Sequence, residues 1–389
     1  MRSLKFSLLA LLWTAVAVPV AWTQSPTEAP VGFDDVTNGF TTQDEFNADR
    51  GTFDELEGKD EGLGPVYNAQ GCGECHQNPT SGGISQITEL RAGHLSGSTF
   101  IEHPGGSLIN DRAINANFQE RVLGGNEVRT FRTSLNTLGD GFVECIDSNT
   151  LVAIQNGQPG SMKGTFIQVP VLEAGGALRG GRFGWKNQHA SLVSFSADAY
   201  LNEMGITNPL FPEENAPDGR TDLILACDGK PTEPNELEDD GTALQAFADF
   251  MSLLAPPPRG TINGPVQQGE ALFGQIGCAD CHVADLRTGT GSVFPKLNNV
   301  TFHPYSDFLL HDMGALDDRI AQGTAGSFEM RTASLWGVSA RKTFLHDGRS
   351  TKLDDAILRH DGQGKAARDA FSKLGTADQQ RVVKFLNSL

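Results

Sequence analysis

The chain has 389 residues, of which 38% are hydrophobic and 20% are charged, so it is long enough and apolar enough for more than one folded domain. Its formal net charge is −18 at pH 7. Such an acidic chain disfavours nucleic acids and anionic membrane surfaces as partners, and it would attract a basic partner instead.

The N-terminus has the pattern of a secretory signal peptide. Arg2 and Lys5 are followed by an apolar stretch at 6–18 and then by small residues. About 13 apolar residues are fewer than the roughly 20 that span a bilayer, and no later stretch is longer. We therefore predict a signal peptide at 1–24 and a periplasmic mature protein without a transmembrane span. An uncleaved anchor is the alternative.

Two Cys-x-x-Cys-His motifs follow, at Cys72–His76 and at Cys278–His282. In each motif two thiols lie one helical turn apart and an imidazole comes directly after them. This is the pattern of a c-type haem held by two thioether bonds and one histidine ligand. The sequence therefore predicts two covalently bound haems, with iron ligands and attachment residues at His76, His282, Cys72, Cys75, Cys278 and Cys281.

The segment between the motifs is longer than a simple haem domain needs. Residues 165–171 have the pattern of a short strand, and 175–184 are rich in glycine, which predicts a loop or small hairpin inserted into a helical domain. Apolar residues recur at helical spacing over 244–254, which predicts an amphipathic helix. The three prolines within 256–260 predict a linker, because each removes a backbone donor and fixes φ.

This linker divides the chain into an N-terminal domain at 25–255 and a C-terminal domain at 261–389. In the second domain, Gly269–Phe273 predicts a helix that crosses the last helix at a small residue. The last helix has a capping-box pattern, Thr376 with Gln379, ahead of an apolar stripe. Each half of the chain thus runs from a Cys-x-x-Cys-His motif to an amphipathic helix.

Two cysteines, Cys145 and Cys227, lie outside the motifs. In an oxidising compartment they could form a disulfide that closes about 80 residues and contributes roughly 4 kcal/mol, or they are two buried free thiols. The Cys-x-x-Cys pairs could also bind zinc or act as thiol redox pairs. Zinc sites usually place their second pair within about 20 residues, whereas these pairs are about 200 apart. Neither alternative explains the histidine after both pairs.

Six further runs carry a resemblance to a known family: Glu102–Ile109, Gly181–Lys186, Glu203–Thr207, His303–Asp307, Leu310–Gly314 and Phe344–Arg349. They resemble the bacterial di-haem oxidoreductase, putative peroxidase family. That family is related to the di-haem cytochrome c peroxidases and to the di-haem enzymes that mature methylamine dehydrogenase. The resemblance covers nearly all of the mature chain.

The resemblance implies a mainly α fold of two cytochrome c-like haem domains, the first with a loop and short-strand insertion. The implied function is a periplasmic oxidoreductase that reduces hydrogen peroxide with electrons passed between two haems. A small redox protein or another electron donor would be its partner. A non-catalytic electron-transfer cytochrome is the alternative, and oxidation of an aromatic side chain on a partner protein is a third. The related peroxidases also bind Ca²⁺, although no acidic cluster marks such a site here.

The resemblance also indicates further iron ligands. The peroxidases use a methionine as the sixth ligand of the second haem, and the equivalent position here is His360, which implies a lower potential. For the first haem they use a histidine some residues after the motif, and His94 and His103 are the two candidates. Met204 is a weaker candidate ligand.

Catalytic residues are implied less sharply. The related peroxidases use a glutamate to move protons, and Glu144 and Glu203 are the candidates. Trp185 is the candidate for an aromatic bridge between the haems.

The run Phe344–Arg349, which precedes a helix that begins near residue 353, is expected to contact the haem propionates. His346 and Arg349 are the candidates, because a guanidinium pairs well with a carboxylate. His311 is expected to play a similar supporting part.

Overall fold

The computed structural model describes the backbone of residues 28–32, 40–227, 237–292 and 294–389, without the side chains of 225–227. The predicted signal peptide at 1–24 lies outside these residues. So does the side chain of Cys227. Cys145 is buried, and its pairing with Cys227 stays a prediction.

Most of the structure consists of short helices joined by long loops. The α-helices within the described residues are α1 (Gln43–Asp54), α2 (Cys72–Cys75), α3 (Asp140–Glu144), α4 (Ser148–Gly157), α5 (Leu192–Met204), α6 (Thr221–Cys227), α7 (Thr242–Leu253), α8 (Gly264–Gln275), α9 (Leu353–Leu358), α10 (Lys365–Ser372) and α11 (Thr376–Leu386). Among these residues, no helix has both the length and the apolar character that crossing a membrane requires.

The strands are short and antiparallel. They are β1 (Val66–Tyr67), β2 (Thr88–Ser96), β3 (Thr99–Glu102), β4 (Leu108–Ile109), β5 (Arg112–Ala113), β6 (Val128–Thr133), β7 (Gln168–Val171), β8 (Ala177–Gly180), β9 (Leu286–Arg287), β10 (Thr301–Phe302), β11 (Leu310–Asp312) and β12 (Glu329–Arg331). β2 pairs with β3, β4 and β6, and the other strands form two-stranded ladders: β1 with β5, β7 with β8, β9 with β10 and β11 with β12.

The prediction of a mainly α fold is only partly correct. The fold is mixed, with 36% helix and 16% strand among the described residues. The sheet built on β2 was not predicted, because β2 carries no strong apolar alternation and one of its partners, β6, lies more than 30 residues away. The predicted small hairpin is present as β7 and β8, although its first strand begins at Gln168 rather than at residue 165.

The two amphipathic helices lie where the sequence predicts them. α7 buries Leu244, Phe247, Phe250 and Met251. α8 and α11 cross at Gly269, where an added Cβ would lie only 2.0 Å from the carbonyl oxygen of Arg381. The capping-box prediction for α11 is wrong, because the N-cap is the preceding glycine and no side chain caps the helix.

The proline-rich segment is packed against both halves of the chain. Pro256 and Pro257 are buried, and the carbonyl oxygen of Pro256 accepts a hydrogen bond from the Gly32 amide at 3.0 Å. One apolar cluster continues across the segment, and Phe142 of the first half contacts Phe302 of the second with ring centroids 5.9 Å apart. The two halves therefore share a core, and their division at 256–260 into separate domains stays a proposal.

Candidate functional site

The first cavity surrounds the Cys72–His76 motif. The residue before it, Gly71, packs so tightly that an added Cβ would lie 2.1 Å from the carbonyl oxygen of Glu55, which holds the motif against the end of α1. The cavity encloses about 1230 Å³ including its open mouth. Its apolar wall includes Phe53, Leu135, Tyr200, Met204, Phe247 and Met251.

The ring of His76 is fixed by one hydrogen bond. Its Nδ1 lies 3.0 Å from the carbonyl oxygen of Gly83, and because a carbonyl can only accept, Nδ1 must carry the proton. Burial lowers the pKa of His76, so the ring is neutral and Nε2 keeps a lone pair. This is the form in which a histidine binds iron, with its second nitrogen held by a backbone carbonyl.

A polar wall closes another part of the first cavity, and it contains two carboxylates. Glu89 on β2 pairs with the Arg91 guanidinium through two contacts, 3.0 and 2.9 Å long. Glu203 on α5 hydrogen-bonds to Glu89 and accepts a hydrogen bond from the Asn68 amide at 2.7 Å. All four side chains line the cavity.

The two carboxylates of this wall differ in their protonation. Burial and the neighbouring Glu89 raise the pKa of Glu203 to about 8, so Glu203 holds a proton at pH 7. Burial alone would raise the pKa of Glu89, but the charge and hydrogen bonds of Arg91 lower it. The arrangement therefore places a neutral acid beside an ionised carboxylate, which suits proton transfer.

A polar chamber adjoins the first cavity. The two spaces share Arg91, Asp198 and Asn202 in their walls. The far wall of the chamber includes Glu102 and Ser107, from the run that supported the family resemblance. Polar groups therefore continue from the surface of the protein to the pair of carboxylates.

The structure brings neither candidate histidine to the first cavity, which corrects the prediction that one of them reaches its haem. Glu89 and Arg91 share the face of β2 that lines the cavity, and His94 lies on the opposite face because side chains alternate along a strand. The His103 ring is buried elsewhere, and its Nε2 accepts a hydrogen bond from the Leu123 amide at 3.1 Å.

The candidate Glu144 also lies away from both cavities. Its carboxylate accepts a hydrogen bond from the amide of Leu192, at 2.8 Å, in the first turn of α5. A free amide at the start of a helix needs such an acceptor, so this carboxylate has a structural explanation. Of the two candidate glutamates, only Glu203 is placed for chemistry in a cavity.

The second cavity surrounds the Cys278–His282 motif and encloses about 1360 Å³ including its mouth. Gly277 precedes the motif with φ of 90°, a left-handed conformation that glycine adopts without strain. Apolar side chains from α8, α9 and α11 form much of the remaining wall: Phe273, Leu353, Ala356, Ile357 and Leu386.

Two histidines of the second cavity are oriented in the same way. The Nδ1 of His282 lies 2.9 Å from the carbonyl oxygen of Tyr305, and the Nδ1 of His360 lies 2.9 Å from that of Ala356. Both Nδ1 atoms must donate, which leaves the Nε2 lone pairs for another partner. Burial lowers the pKa of both rings, for His282 to about 4. The cavity therefore contains two neutral imidazoles whose Nδ1 atoms are held by backbone carbonyls.

His346 and Arg349 were both predicted to lie near the second haem. The structure places only His346 in the wall of the second cavity. His346 is buried in the cavity wall, its Nε2 has no hydrogen-bond partner, and burial lowers its pKa to about 4. Arg349 is exposed and pairs with Asp347 outside the cavity. Arg341 lines the cavity instead, and burial lowers the pKa of its guanidinium to about 10.

His311 forms a buried pair with Asp307 beside Cys281. Its Nε2 lies 2.8 Å from the Asp307 carboxylate and its Nδ1 lies 3.8 Å from the Cys281 sulfur. Burial would lower the pKa of His311, but the hydrogen bond that its ring donates to Asp307 raises it to about 10. These three side chains could hold a metal ion by their spacing alone. However, thioether attachment of a haem would use the same sulfur.

Trp185 lies between the two cavities and lines both of them. Its indole Nε1 donates a hydrogen bond to the carbonyl oxygen of Thr133 at 2.9 Å, and its ring meets that of His346 edge to face with centroids 6.2 Å apart. The backbone carbonyl of Trp185 accepts from the Arg331 amide at 2.9 Å. The indole is therefore held from both halves of the chain.

The donor groups of both cavities fit haem. Each cavity joins two thiols and a neutral, fixed imidazole to a largely apolar wall, and the second adds another imidazole. The two Cys-x-x-Cys pairs line different cavities, which rules out a single zinc site made from both. Sequence reasoning missed Glu89, Arg91 and Arg341. The alternation of an acid and a base at Glu89 and Arg91 is the one signal that could have found the first two.

The amino-acid sequence of most of the chain matches the model of a known family. A family model described as di-haem oxidoreductase, putative peroxidase, matches residues 109–389. The chain belongs to this family. The match includes the second motif, Trp185 and Glu203, and it begins after the first motif. Members of the di-haem family are oxidoreductases with haem cofactors, and so is this protein. No curated protein matches the chain in sequence.

Solved structures with some likeness to the chain are distant. A MauG-like protein associated with microbial copper homeostasis is 14% identical, with a TM-score of 0.41 over 98% of this chain and 95% of that one. Kuenenia stuttgartiensis hydrazine synthase is 13% identical, with a TM-score of 0.39 over 98% and 100%. The diheme peroxidase BthA from Burkholderia thailandensis is 16% identical, with a TM-score of 0.35 over 66% and 80%.

Proposed function

We propose that this family member is a periplasmic di-haem c-type oxidoreductase that reduces hydrogen peroxide with electrons passed between its two haems. The observation that supports this most is the contrast between two cavities that share Trp185. Both contain the same attachment motif, but one adds a neutral acid and the other adds a second imidazole.

In this proposal the motif residues attach and ligate the haems. Cys72 and Cys75 bind the first through thioethers, and Cys278 and Cys281 bind the second. His76 and His282 are the ligands on the side of the attachment. His360 supplies the second ligand in the second cavity, which leaves the first as the place where peroxide binds. His346 and Arg341 face the second haem, and Arg349 does not.

Reduction of one hydrogen peroxide consumes two electrons and two protons and gives two waters. When bound, the haems supply one electron each, and the first offers an iron position at which peroxide can bind. Glu203 holds a proton at neutral pH and donates it to the leaving oxygen. Glu89, kept ionised by Arg91, accepts the next proton from the polar chamber and passes it to Glu203, which delivers it as the second proton; one more proton from the chamber returns Glu203 to its neutral form.

Trp185 provides the aromatic contact between the two cavities in this scheme. Its hydrogen bond to Thr133 and its edge contact with His346 keep the indole in one position. His282 and His360 would both ligate the iron of a haem bound in the second cavity, and such a haem would supply electron storage without a site for peroxide. A fixed path of this kind needs no movement of one half against the other.

The electron donor in this proposal is a small redox protein. The net charge of −18 favours a basic partner and steers it toward the surface. The signal-like N-terminus, with its short apolar stretch, supports a periplasmic location. A protein side chain as the substrate, in place of peroxide, remains a third candidate.

One observation favours the alternative of an electron-transfer cytochrome. Met204 lines the first cavity, next in sequence to Glu203, and a thioether sulfur can ligate haem iron. If Met204 binds the first iron, both haems are closed and peroxide has no site.

Electron paramagnetic resonance of the oxidised, mature protein separates these functions. We expect one high-spin and one low-spin ferric signal, and His360→Ala should convert the low-spin signal to high spin. His94→Ala is the matched control and should leave both signals unchanged. Two low-spin signals, together with reduced spectra that do not respond to peroxide, would contradict the enzyme and support the cytochrome. In that case Met204→Ala should produce a high-spin signal.

A further inference from the structure

The side chain of Lys186 crosses from the first half of the chain into the second and is fully buried there. Its Nζ lies 2.9 Å from the Asp318 carboxylate and 3.2 and 3.4 Å from the carbonyl oxygens of Gly326 and Ser327. It also donates to the carbonyl oxygen of Glu329. Four oxygens of the second half thus surround one nitrogen of the first.

These partners settle the charge of the nitrogen. All four are acceptors, and a neutral amine has only two hydrogens to donate, whereas an ammonium has three. Burial lowers the pKa of Lys186, but Asp318 counteracts this. The Asp318 carboxylate is itself fully buried and is held in place by the Arg132 guanidinium, at 2.7 and 2.9 Å.

Carbonyl and carboxylate oxygens that converge on one point are the ligands of a hard cation. Three of the four contacts, at 2.9–3.4 Å, are longer than the 2.3–2.6 Å that Ca²⁺ requires and are hydrogen-bond distances from an ammonium, and the fourth, to the Glu329 carbonyl oxygen, is shorter. We propose that residues 318–329 of the second half form a cation-binding site and that the Lys186 ammonium is its permanent cation.

The site also acts on the neighbouring residue, Trp185. Because Lys186 is anchored in the second half, the backbone of Trp185 is tied to the same segment, where its carbonyl accepts from the Arg331 amide. The ammonium is therefore a positioning group for the indole that lies between the cavities. The cation-binding claim does not depend on peroxidase activity.

Chemical rescue tests this inference. The variant Lys186→Ala of the mature, haem-loaded protein would leave the four oxygens without a cation, and we expect its Tm to fall by about 5 °C or more. Potassium or methylammonium chloride should then raise its Tm in a saturable way. Choline chloride at equal ionic strength should not, because the choline cation is too large to enter.

Two further variants serve as controls. Lys186→Met fills the space without a charge, so its lowered Tm should not respond to either cation. Lys365→Ala removes an ammonium from an exposed pair with Asp369, and its Tm should change little and show no selective response. If potassium and methylammonium raise the Tm of Lys186→Ala no more than choline does, Lys186 is only an ordinary buried ion pair and the proposal is wrong.

Wild-type protein gives a test that does not depend on whether the variants fold. Potassium or methylammonium chloride should raise its Tm no more than choline chloride does at equal ionic strength, because the site is already filled. A selective rise of the wild-type Tm with potassium or methylammonium would contradict a permanent lysine cation.

Discussion

The two cavities contain the same attachment motif and differ in the wall that faces it. The first has one histidine of the motif together with Glu89, Arg91 and Glu203, and it adjoins a polar chamber. The second has a second oriented histidine, His360, and a mostly apolar wall. In the proposed function, the motif determines where each haem is bound, and the wall determines its role: proton transfer in the first cavity and electron storage in the second.

The strongest test of this contrast is Glu203→Gln, which keeps the hydrogen bond to Asn68 but cannot give up a proton. We expect the rate of peroxide reduction to fall by about 10²- to 10⁴-fold while both haems stay attached. Steady-state kinetics with a chemical electron donor measure the rate. The control Glu213→Gln changes an exposed carboxylate and should behave as wild type. A loss below threefold would remove Glu203 from the mechanism.

The same acid predicts the pH dependence. Because the pKa of Glu203 is raised to about 8, the proton is present below that pH and is lost above it. The rate should therefore be level between pH 6 and pH 7 and fall by about tenfold per pH unit above pH 8. In Glu203→Gln the residual rate should lose this alkaline limb. A wild-type profile that rises above pH 8 would mean that Glu203 acts as a base.

Two arginine substitutions test the second cavity, one at Arg341 in its wall and one at Arg349 outside it. Arg341→Gln removes a buried positive charge from the cavity wall, so the reduction potential of the second haem should fall by the equivalent of about 1.5–3 kcal/mol. Arg349→Gln changes an exposed ion pair and should shift it by less than about 0.5 kcal/mol. Spectroelectrochemistry gives both values. Equal shifts would show that Arg349 reaches the haem after all.

The smallest effect is expected from the helix crossing next to the second cavity. Gly269→Ala forces a Cβ against the carbonyl oxygen of Arg381 and should cost about 1–3 kcal/mol of stability. Gly274→Ala on the same helix meets no atom within 4 Å and should stabilise the helix slightly. Thermal unfolding compares the pair, and a Gly269→Ala protein as stable as Gly274→Ala would mean that the helices separate easily.

The sequence analysis singled out the attachment motifs, α7, the α8–α11 crossing, His360 and Trp185. In the structure these features lie in the cavity walls or at packing contacts. These features depend on spacing within a short stretch of chain. Sequence reasoning did not find the Glu89–Arg91 pair, the role of Arg341 or the packing of Lys186 against Asp318. Glu89 and Arg91 are only two residues apart, but their place in the cavity depends on the contact of β2 with α5. The role of Arg341 and the contact of Lys186 with Asp318 depend on residues that are far apart in sequence, and a single sequence does not show which distant charges meet.

The glutamate candidates show the same difference. The sequence alone does not distinguish Glu144 from Glu203. In the structure, Glu144 accepts a hydrogen bond from the first turn of α5, and Glu203 hydrogen-bonds to Glu89 in the first cavity. The structure also places both histidine candidates for the first haem outside its cavity. Distance along the chain does not show the direction of a side chain, and His94 lies on a strand whose alternation turns it away from the cavity.

The apolar cluster that continues past Pro256 and Pro257 has a mechanical consequence. Because Phe142 and Phe302 touch across it, the separation of the two cavities is set by side-chain packing and not by a hinge. We therefore expect neither half to be stable when expressed alone, and we expect the intact protein to unfold in a single cooperative step. Electron transfer between the cavities would then have the same distance in every turnover.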